Sequence, residues 1–260
     1  MKAPVVLSLM ILAVLVHSCG LETVTSLSPP LGLTNYLSQT NYQTLTATFS
    51  KGNYSNIDGF QGYEVYYKVY PLSTTGPFTN LAADVTRLNS SPTYSYLQTL
   101  GYQRMNGSNT QPTTVPLINL QSAADQTTIT LDFTSFLSQL NAANGRQSLG
   151  SDNPSVPSPL PILTLPSGAS SFSGTVYRTE SNTTFTGSTV HYPYFNELYR
   201  SWANASGVVQ GSSDLDSTVT SATSQYEIDV FLIAYAFTLE ATTYSQPVAW
   251  GVIYPLDVPR

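Results

Sequence analysis

Two stretches near opposite ends of the chain have the period-two pattern of β-strands, and they constrain the fold more than any other feature. Residues 60–70 read FQGYEVYYKVY, which places Tyr63 and Val65 on one face of a strand. Residues 226–238 read YEIDVFLIAYAFT and become apolar on both faces from Val230 onwards. A strand with two apolar faces has to be covered on both sides. The sequence therefore predicts a β protein whose two ends belong together.

Composition narrows the class of protein further. The chain has 260 residues, of which only 9 % are charged, so Ser, Thr, Asn and Gln have to keep it soluble. Without residues 1–18 it carries 8 basic and 15 acidic residues, a net charge of −7. Nucleic-acid binding depends on lysine and arginine neutralising phosphates, so we expect no nucleic-acid partner. One cysteine excludes a disulfide within the chain, but the length is sufficient for a core without one.

The first eighteen residues have the three parts of a secretory signal peptide. Lys2 supplies the positive region, residues 3–16 form a mostly apolar run, and Ser18 is the small residue before the expected cut. The run of 14 residues is shorter than the roughly 20 that a membrane-spanning helix needs. We therefore expect residues 1–18 to be removed on export.

Cys19 follows this leader in a context that favours lipid attachment. Residues 15–19 read LVHSC and resemble the lipobox of bacterial lipoproteins, in which Val16 and Ser18 match the pattern. The resemblance implies that Cys19 carries a diacylglyceryl group and an acyl group such as palmitate, followed by a tether over residues 19–30. Such a lipid implies a bacterial cell membrane or outer membrane, with the protein facing the periplasm or the exterior. The alternative is an ordinary secretory signal with a cysteine near the cut.

The order of strands resembles a fibronectin type III sandwich. A proline-rich opening with Leu33, an alternating strand over residues 43–50 and the GYEVYYKVY strand correspond to strands A, B and C, and the C-terminal stretches correspond to F and G. The matching positions are Gly62, Tyr63, Val65 and Tyr67 in C, Tyr226, Ile228, Val230 and Ala234 in F, and Ser245 with Pro247 before G. Similar traits occur in lipoproteins of spirochaete type.

The resemblance implies a mainly β, immunoglobulin-like sandwich in one discontinuous domain over residues 31–260. Its strands come from residues 31–71 and 226–260. Residues 72–225 are then a large α/β insertion between the C and F strands. Spacing and turn residues in this insertion predict two helices, a strand, a short helix, a proline-rich loop and a hairpin, over residues 79–89, 91–101, 127–133, 136–140, 150–171 and 173–192.

Alternation also places aromatic side chains on the outer face of the predicted F strand. Alternate residues from Phe231 to Phe237 lie on that face, with Tyr66 and Tyr70 on the neighbouring strand. Packing of the insertion against them is one explanation. A ligand platform is the other, because exposed apolar patches mark interaction sites. Tyr66, Tyr70, Phe231 and Tyr235 are therefore the candidate ligand or packing patch.

The chain contains no recognisable catalytic constellation. His191 is the only histidine after residue 18, and the Gly-x-Ser-x-Gly pattern of hydrolases is missing. One histidine and one cysteine do not make a zinc site, and no phosphate-binding glycine loop occurs. Asp214 and Asp216 fit a solvated polar turn better than a calcium site. We predict no catalytic residue, no metal ligand and no cofactor.

Three hypotheses for function follow. The first is a binding or structural module of the bacterial cell envelope, attached to the membrane through its N-terminal lipid, with a protein or glycan as candidate ligand. The alternative is a hydrolase acting on an envelope or external polysaccharide, because glycoside hydrolysis needs two carboxylates. Asp132, Glu197, Asp214 and Asp216 are available for that chemistry. An accessory subunit of an envelope assembly is the third.

Overall fold

The computed structural model describes the strands at both ends of the folded chain and part of the sequence between them. The described residues are 27–33, 35–50, 59–107, 115–120, 126–137, 161–167, 170–178, 182–185, 188–191, 195, 214–220, 223–237 and 242–257. The expected leader over residues 1–18 and Cys19 lie outside these ranges.

Strands dominate the described residues, which confirms the prediction of a mainly β protein. They are β1 (Thr44–Ser50), β2 (Phe60–Pro71), β3 (Gln103–Arg104), β4 (Ile118–Asn119), β5 (Gln126–Asp132), β6 (Ile162–Ser167), β7 (Ser170–Thr175), β8 (Asn182–Phe185), β9 (Ser188–His191), β10 (Gln225–Phe237), β11 (Thr242–Tyr244) and β12 (Val248–Asp257). Among the described residues, the helices with both ends described are α1 (Thr79–Ser90) and α2 (Tyr94–Thr99), and residues 134–137 are helical as well. A 3-10 turn covers Tyr36–Ser38.

β2 and β10 form the centre of the larger sheet. They pair antiparallel over nearly their full length, from Phe60 opposite Ala236 to Pro71 opposite Tyr226. β12 and β11 continue the sheet beyond β10, while β3 and β4 pair with the other edge of β2. Almost every residue of the central pair is buried. Both of its faces are therefore covered.

A second antiparallel sheet contains β1, β5, β6 and β7 in that order. β1 pairs with β5 along its whole length, and Leu33 adds an antiparallel bridge to Ala47 of β1. Apolar side chains from both sheets share one buried cluster, which includes Tyr63 of β2, Leu45 of β1 and Leu131 of β5. Each large apolar side chain in such a core contributes roughly 1.5–3 kcal/mol.

α1 covers the other face of the larger sheet. Leu81 and Leu88 are buried at helical spacing and pack in a cluster with Phe231 and Ile233 of β10. The helix predicted over residues 79–89 is confirmed. The described protein thus has three layers at this point, with the larger sheet in the middle.

α2 is shorter than the helix that the sequence suggested from Ser91 to about Gly101. It spans Tyr94–Thr99. Thr93 is its N-cap, because the Thr93 hydroxyl oxygen accepts a 3.2 Å hydrogen bond from the backbone N–H of Tyr96. Within the described ranges, no helix has the length and apolar character needed to cross a membrane.

Residues 72–225, the expected insertion, also supply strands to the smaller sheet. β5 lies inside this range and pairs with β1. The loop predicted over residues 150–171 is wrong in its last part, because β6 pairs there with β5 and β7. Pro166 made this strand difficult to predict from the sequence. The pairing of β6 with β5 ends at Thr164, so at Pro166 the strand is paired with β7 alone and tolerates a missing backbone N–H as an edge strand does.

The hairpin predicted over residues 173–192 is shorter than expected. β8 and β9 pair from Asn182 opposite His191 to Phe185 opposite Ser188. The chain therefore reverses between Phe185 and Ser188, closer to the end of the predicted range than to its middle.

Two glycine substitutions test the contact between β2 and β4. Gly62 and Gly76 have φ angles of 145° and 133°, but only at Gly62 does a Cβ overlap a neighbour, the carbonyl oxygen of Ile118. We expect Gly76→Ala to lower the free energy of unfolding by backbone strain alone, roughly 1–2 kcal/mol. Gly62→Ala also displaces β4, so we expect a loss of about 3 kcal/mol or more. Urea unfolding measures both, and equal losses would refute the importance of this contact.

Candidate functional site

The four residues of the predicted patch lie on the face of β2 and β10 that the helices cover. Tyr66 and Phe231 are opposite each other in the strand pair, and both are buried. Tyr66 contacts Tyr94 of α2, with ring centroids 5.5 Å apart. Tyr70 and Tyr235 are buried towards opposite ends of the strand pair. Residues of the chain itself therefore pack over the patch.

Charged side chains lie on this face near Tyr70, and they form a group that we call the acidic cluster. Its members are Lys68, Asp84, Asp216, Glu227 and Asp229. Asp84 enters it from α1 and is 1 % exposed. One oxygen of Asp84 accepts hydrogen bonds from the hydroxyls of Tyr70 at 2.5 Å and Tyr102 at 2.9 Å, and the other accepts one from Arg87 at 2.8 Å. These bonds attach α1 to the sheet through a buried carboxylate.

Lys68 is the cation of the acidic cluster. Its ammonium group donates a 2.7 Å hydrogen bond to the carbonyl of Leu100 and forms a 2.7 Å ion pair with Asp216. Asp216 also accepts hydrogen bonds from the backbone and hydroxyl of Thr218. Burial alone would raise the pKa of Asp216, but Lys68 and Thr218 together bring it below its ordinary value. One ammonium group thus connects β2, the end of α2 and the loop over residues 214–220.

Glu227 and Asp229 are buried on β10, and neither forms an ion pair within the described part of the chain. Glu227 accepts a 2.6 Å hydrogen bond from the side-chain amide of Asn80 and a 3.5 Å bond from the backbone of Ser73. Burial nevertheless raises the pKa of Glu227 to about 7. Asp229 is fully buried, and neither carboxylate oxygen has a hydrogen-bond partner among the described residues. Burial, and then the charges of Glu227 and Asp84, raise the pKa of Asp229 well above its ordinary value.

Glu64 and Arg104 form a second polar group, nearer to Tyr66. Their side chains approach to 3.0 Å, and Glu64 accepts a 2.6 Å hydrogen bond from the Tyr66 hydroxyl. Burial raises the pKa of Glu64, although Arg104 and Tyr66 act against it. Beyond Tyr66, Tyr94 stacks on Tyr244 with ring centroids 3.9 Å apart. Aromatic rings therefore continue from the buried patch to the half-buried residues at the surface.

Asp214 lies in the core, so the solvated turn predicted for it is wrong. Asp214 and Arg178 are both fully buried and share hydrogen bonds of 2.6 and 2.8 Å. The Tyr67 hydroxyl donates a further bond of 2.7 Å to Asp214. Burial alone would lower the pKa of Arg178, but the carboxylate of Asp214 raises it above its ordinary value. Asp216, two residues later, is partly exposed and fits the turn better.

A groove of about 300 Å³ lies beside the helix-covered face, between α1, the N-terminal segment and the start of β12. Phe231 lies at its floor, and the half-buried Tyr36 and Val85 line its walls. Asn89 and Gln246 add exposed amide groups at the rim. The lining carries no charged side chain. Of the four predicted patch residues, Phe231 is the one that lines this groove.

The other residues considered from the sequence occupy unrelated settings. Cys19 and Glu197 lie outside the described residues. Asp132 accepts a 2.7 Å hydrogen bond from the backbone of Thr134 at the end of β5. His191 pairs with Asn182 in the short hairpin. Within the part of the chain that the structure describes, no three histidine, cysteine, aspartate or glutamate residues are grouped so as to hold a metal ion.

The sequence analysis did not predict the acidic cluster, although the alternation of side chains along β2 and β10 indicates it. Lys68 is two residues from both Tyr66 and Tyr70, so it shares their face of β2. By the same parity, Asp229 shares the face of Phe231 on β10. Charged residues in phase with an apolar face indicate buried partners, because an unpaired buried charge is costly.

Replacing Glu227 by glutamine tests the electrostatics of this face. The folded-state pKa of Glu227 is raised from 4.5 to about 7, so its stabilising effect is complete below the lower value and is lost as the pH rises through the higher one. We expect the free energy of unfolding to fall through this carboxyl by roughly 1–2 kcal/mol between about pH 5 and about pH 8, after discounting for solvent screening. Urea unfolding of Glu227→Gln should show a shallower decline, and an unchanged slope would contradict the assignment.

Comparison with protein-family models, with curated proteins and with solved structures finds no match to the chain. The resemblances to bacterial lipoproteins and to fibronectin type III domains stay predictions. The function is inferred from the residues themselves and from their arrangement.

Proposed function

We propose that the chain is an exported, lipid-anchored binding or structural module of a bacterial cell envelope. The proposed lipid anchor rests on the position of Cys19, the single cysteine, directly after an apolar leader. A short polar segment follows it, as a tether requires. Two or more acyl chains hold a domain at a membrane without a spanning helix. The partner of the exported domain is a protein or a glycan.

We propose further that the domain is a sandwich of the fibronectin type III type. The pairing supports this reading, because the segment with Leu33, then β1 and β5 follow the order of strands A, B and E, while β2, β10 and β12 follow that of C, F and G. Ser245 lies at the break between β11 and β12, and its hydroxyl accepts a hydrogen bond from the backbone of Ala234. In this reading extra segments enter on both sides of β5, over residues 72–125 and 133–224.

Among the described residues, the groove beside α1 is a surface that supports a binding role. Tyr36 and Val85 give its walls apolar and aromatic area, which suits a sugar ring or an apolar peptide side chain. The amides of Asn89 and Gln246 add hydrogen-bonding groups at the rim. Ligand sites commonly combine such walls with a few polar groups. Because the lining is uncharged, the ligand part that enters should be uncharged too.

Cys19→Ala tests the anchor. Without the thiol no lipid is added, so we expect the chain to move from the membrane fraction to the soluble fraction of a bacterium that processes lipoproteins. Ultracentrifugation followed by immunoblotting measures this distribution. The matched control is Ser18→Ala, which keeps a small residue before the cysteine and should remain in the membrane fraction. Retention of Cys19→Ala in the membrane would reject the anchor.

Val85→Lys tests the groove. A lysine on this wall replaces apolar surface with a charge, so we expect retention on the insoluble envelope fraction of the producing bacterium to fall by about tenfold. Sedimentation of purified protein with that fraction measures retention. Treating the fraction with protease beforehand distinguishes a protein partner, whose binding is lost, from a glycan, whose binding persists.

Thr86→Lys is the matched control for Val85→Lys. Thr86 lies on the same helix, is exposed, and does not line the groove. It receives the same charge, so a general electrostatic effect lowers retention of both variants equally. Such an equal loss would show that the groove is not the binding surface, and thermal melting of both variants checks that they are folded.

A further inference from the structure

The cations around Asp229 are paired with other carboxylates and not with Asp229. Among the described residues, the titratable and charged side chains around it are Glu227 on β10, Lys68 and Tyr70 on β2, Asp84 with its partner Arg87 on α1, Tyr102 after α2, and Asp216 on the loop over residues 214–220. On β12 the opposite residue is Val252, which has no charge. Lys68 is paired with Asp216 and Arg87 with Asp84. No cation in this set remains for Asp229.

The pairing of strands nevertheless places Lys68 directly across from Asp229. Side chains at such positions have Cβ atoms only about 5 Å apart, so a lysine ammonium group can reach the opposite carboxyl group. Lys68 instead bonds to Asp216 and to the carbonyl of Leu100. This choice is consistent with a neutral Asp229, because a buried carboxylate without a partner is strongly disfavoured.

We propose that Asp229 and Lys68 form a proton-controlled switch. With a proton on Asp229, Lys68 holds Asp216, and with it the loop over residues 214–220, against β2. When Asp229 releases this proton to water, its O–H bond is the only covalent bond that breaks. The new carboxylate then draws the Lys68 ammonium group across the strand pair, and Asp216 loses its cation.

The loss of the contact between Lys68 and Asp216 affects the sheet because of where the loop over residues 214–220 lies. The backbone N–H of Asp216 donates a 2.8 Å hydrogen bond to the carbonyl of Val69, and the N–H of Val69 donates one of 2.9 Å to the carbonyl of Asp214. Asp216 bonds to Lys68 on the helix-covered face, whereas Asp214 bonds to Arg178 in the core. The loop therefore connects the two faces of the larger sheet at its edge. Loss of the Lys68 contact loosens this edge and the end of α2 at Leu100.

Carbon-13 NMR of the side-chain carboxyl groups in the full chain tests the switch directly. We expect the Asp229 carboxyl carbon to titrate well above the ordinary range for aspartate, and the Asp216 carbon to shift a second time at the same midpoint. The Lys68 ammonium nitrogen should shift at that midpoint as well. A buried group with only a structural role would titrate without moving Asp216 or Lys68.

Two variants identify the carboxyl group that causes the second shift of Asp216. In Asp229→Asn the second shift of Asp216 should disappear. In Glu227→Gln it should persist with a lower midpoint, because the charge of Glu227 is one of the causes that raise the pKa of Asp229. Three outcomes would overturn the switch: an ionised Asp229 at about pH 5, a protonated Asp229 up to the pH at which the chain unfolds, or an Asp216 that does not respond when Asp229 titrates. If Asp229→Asn fails to fold, the titration of the natural chain still decides.

Discussion

The antiparallel pair formed by β2 and β10 is the constraint on which the other layers depend. The two strands pair from Phe60 to Pro71, and nearly every side chain on both faces is buried. A strand pair of this kind cannot face water on either side, so it requires two covers. The smaller sheet covers one face, and α1 with α2 covers the other. The chain between β2 and β10 supplies both helices and three strands of the smaller sheet.

The polar groups on the helix-covered face give that cover a defined position. Apolar contact alone is non-directional, and a helix on an apolar sheet gains little from one position over the next. Asp84 removes this freedom, because it must meet the hydroxyls of Tyr70 and Tyr102 together. Lys68 does the same for the loop through Asp216. Buried polar groups are costly, so their use here favours a defined arrangement over maximal stability.

Local patterns in the sequence were sufficient for the central strands and for α1, but not for the partners of buried charges. Alternation identified β2 and β10 because the period is contained in the segment itself, and the spacing of Leu81 and Leu88 identified α1 in the same way. Asp214 was misjudged because its neighbours are polar, whereas its partner Arg178 lies 36 residues away. The acidic cluster and the groove likewise combine distant segments. The hydrophobic period within a segment therefore predicts strands and helices, whereas the cluster and the groove depend on how distant segments come together in the fold.

The edges of the larger sheet are paired with other parts of the chain at several described positions. At the edge of β12, the Gln39 side-chain amide accepts a hydrogen bond from the backbone of Val252 and donates one back to it, and Tyr254 donates one to Tyr42. At the edge of β2, β3 and β4 occupy the backbone groups. An added strand needs free backbone groups, and these positions of both edges are already paired. In the proposed binding role, recognition at this sheet would therefore depend on side chains such as those of the groove beside α1.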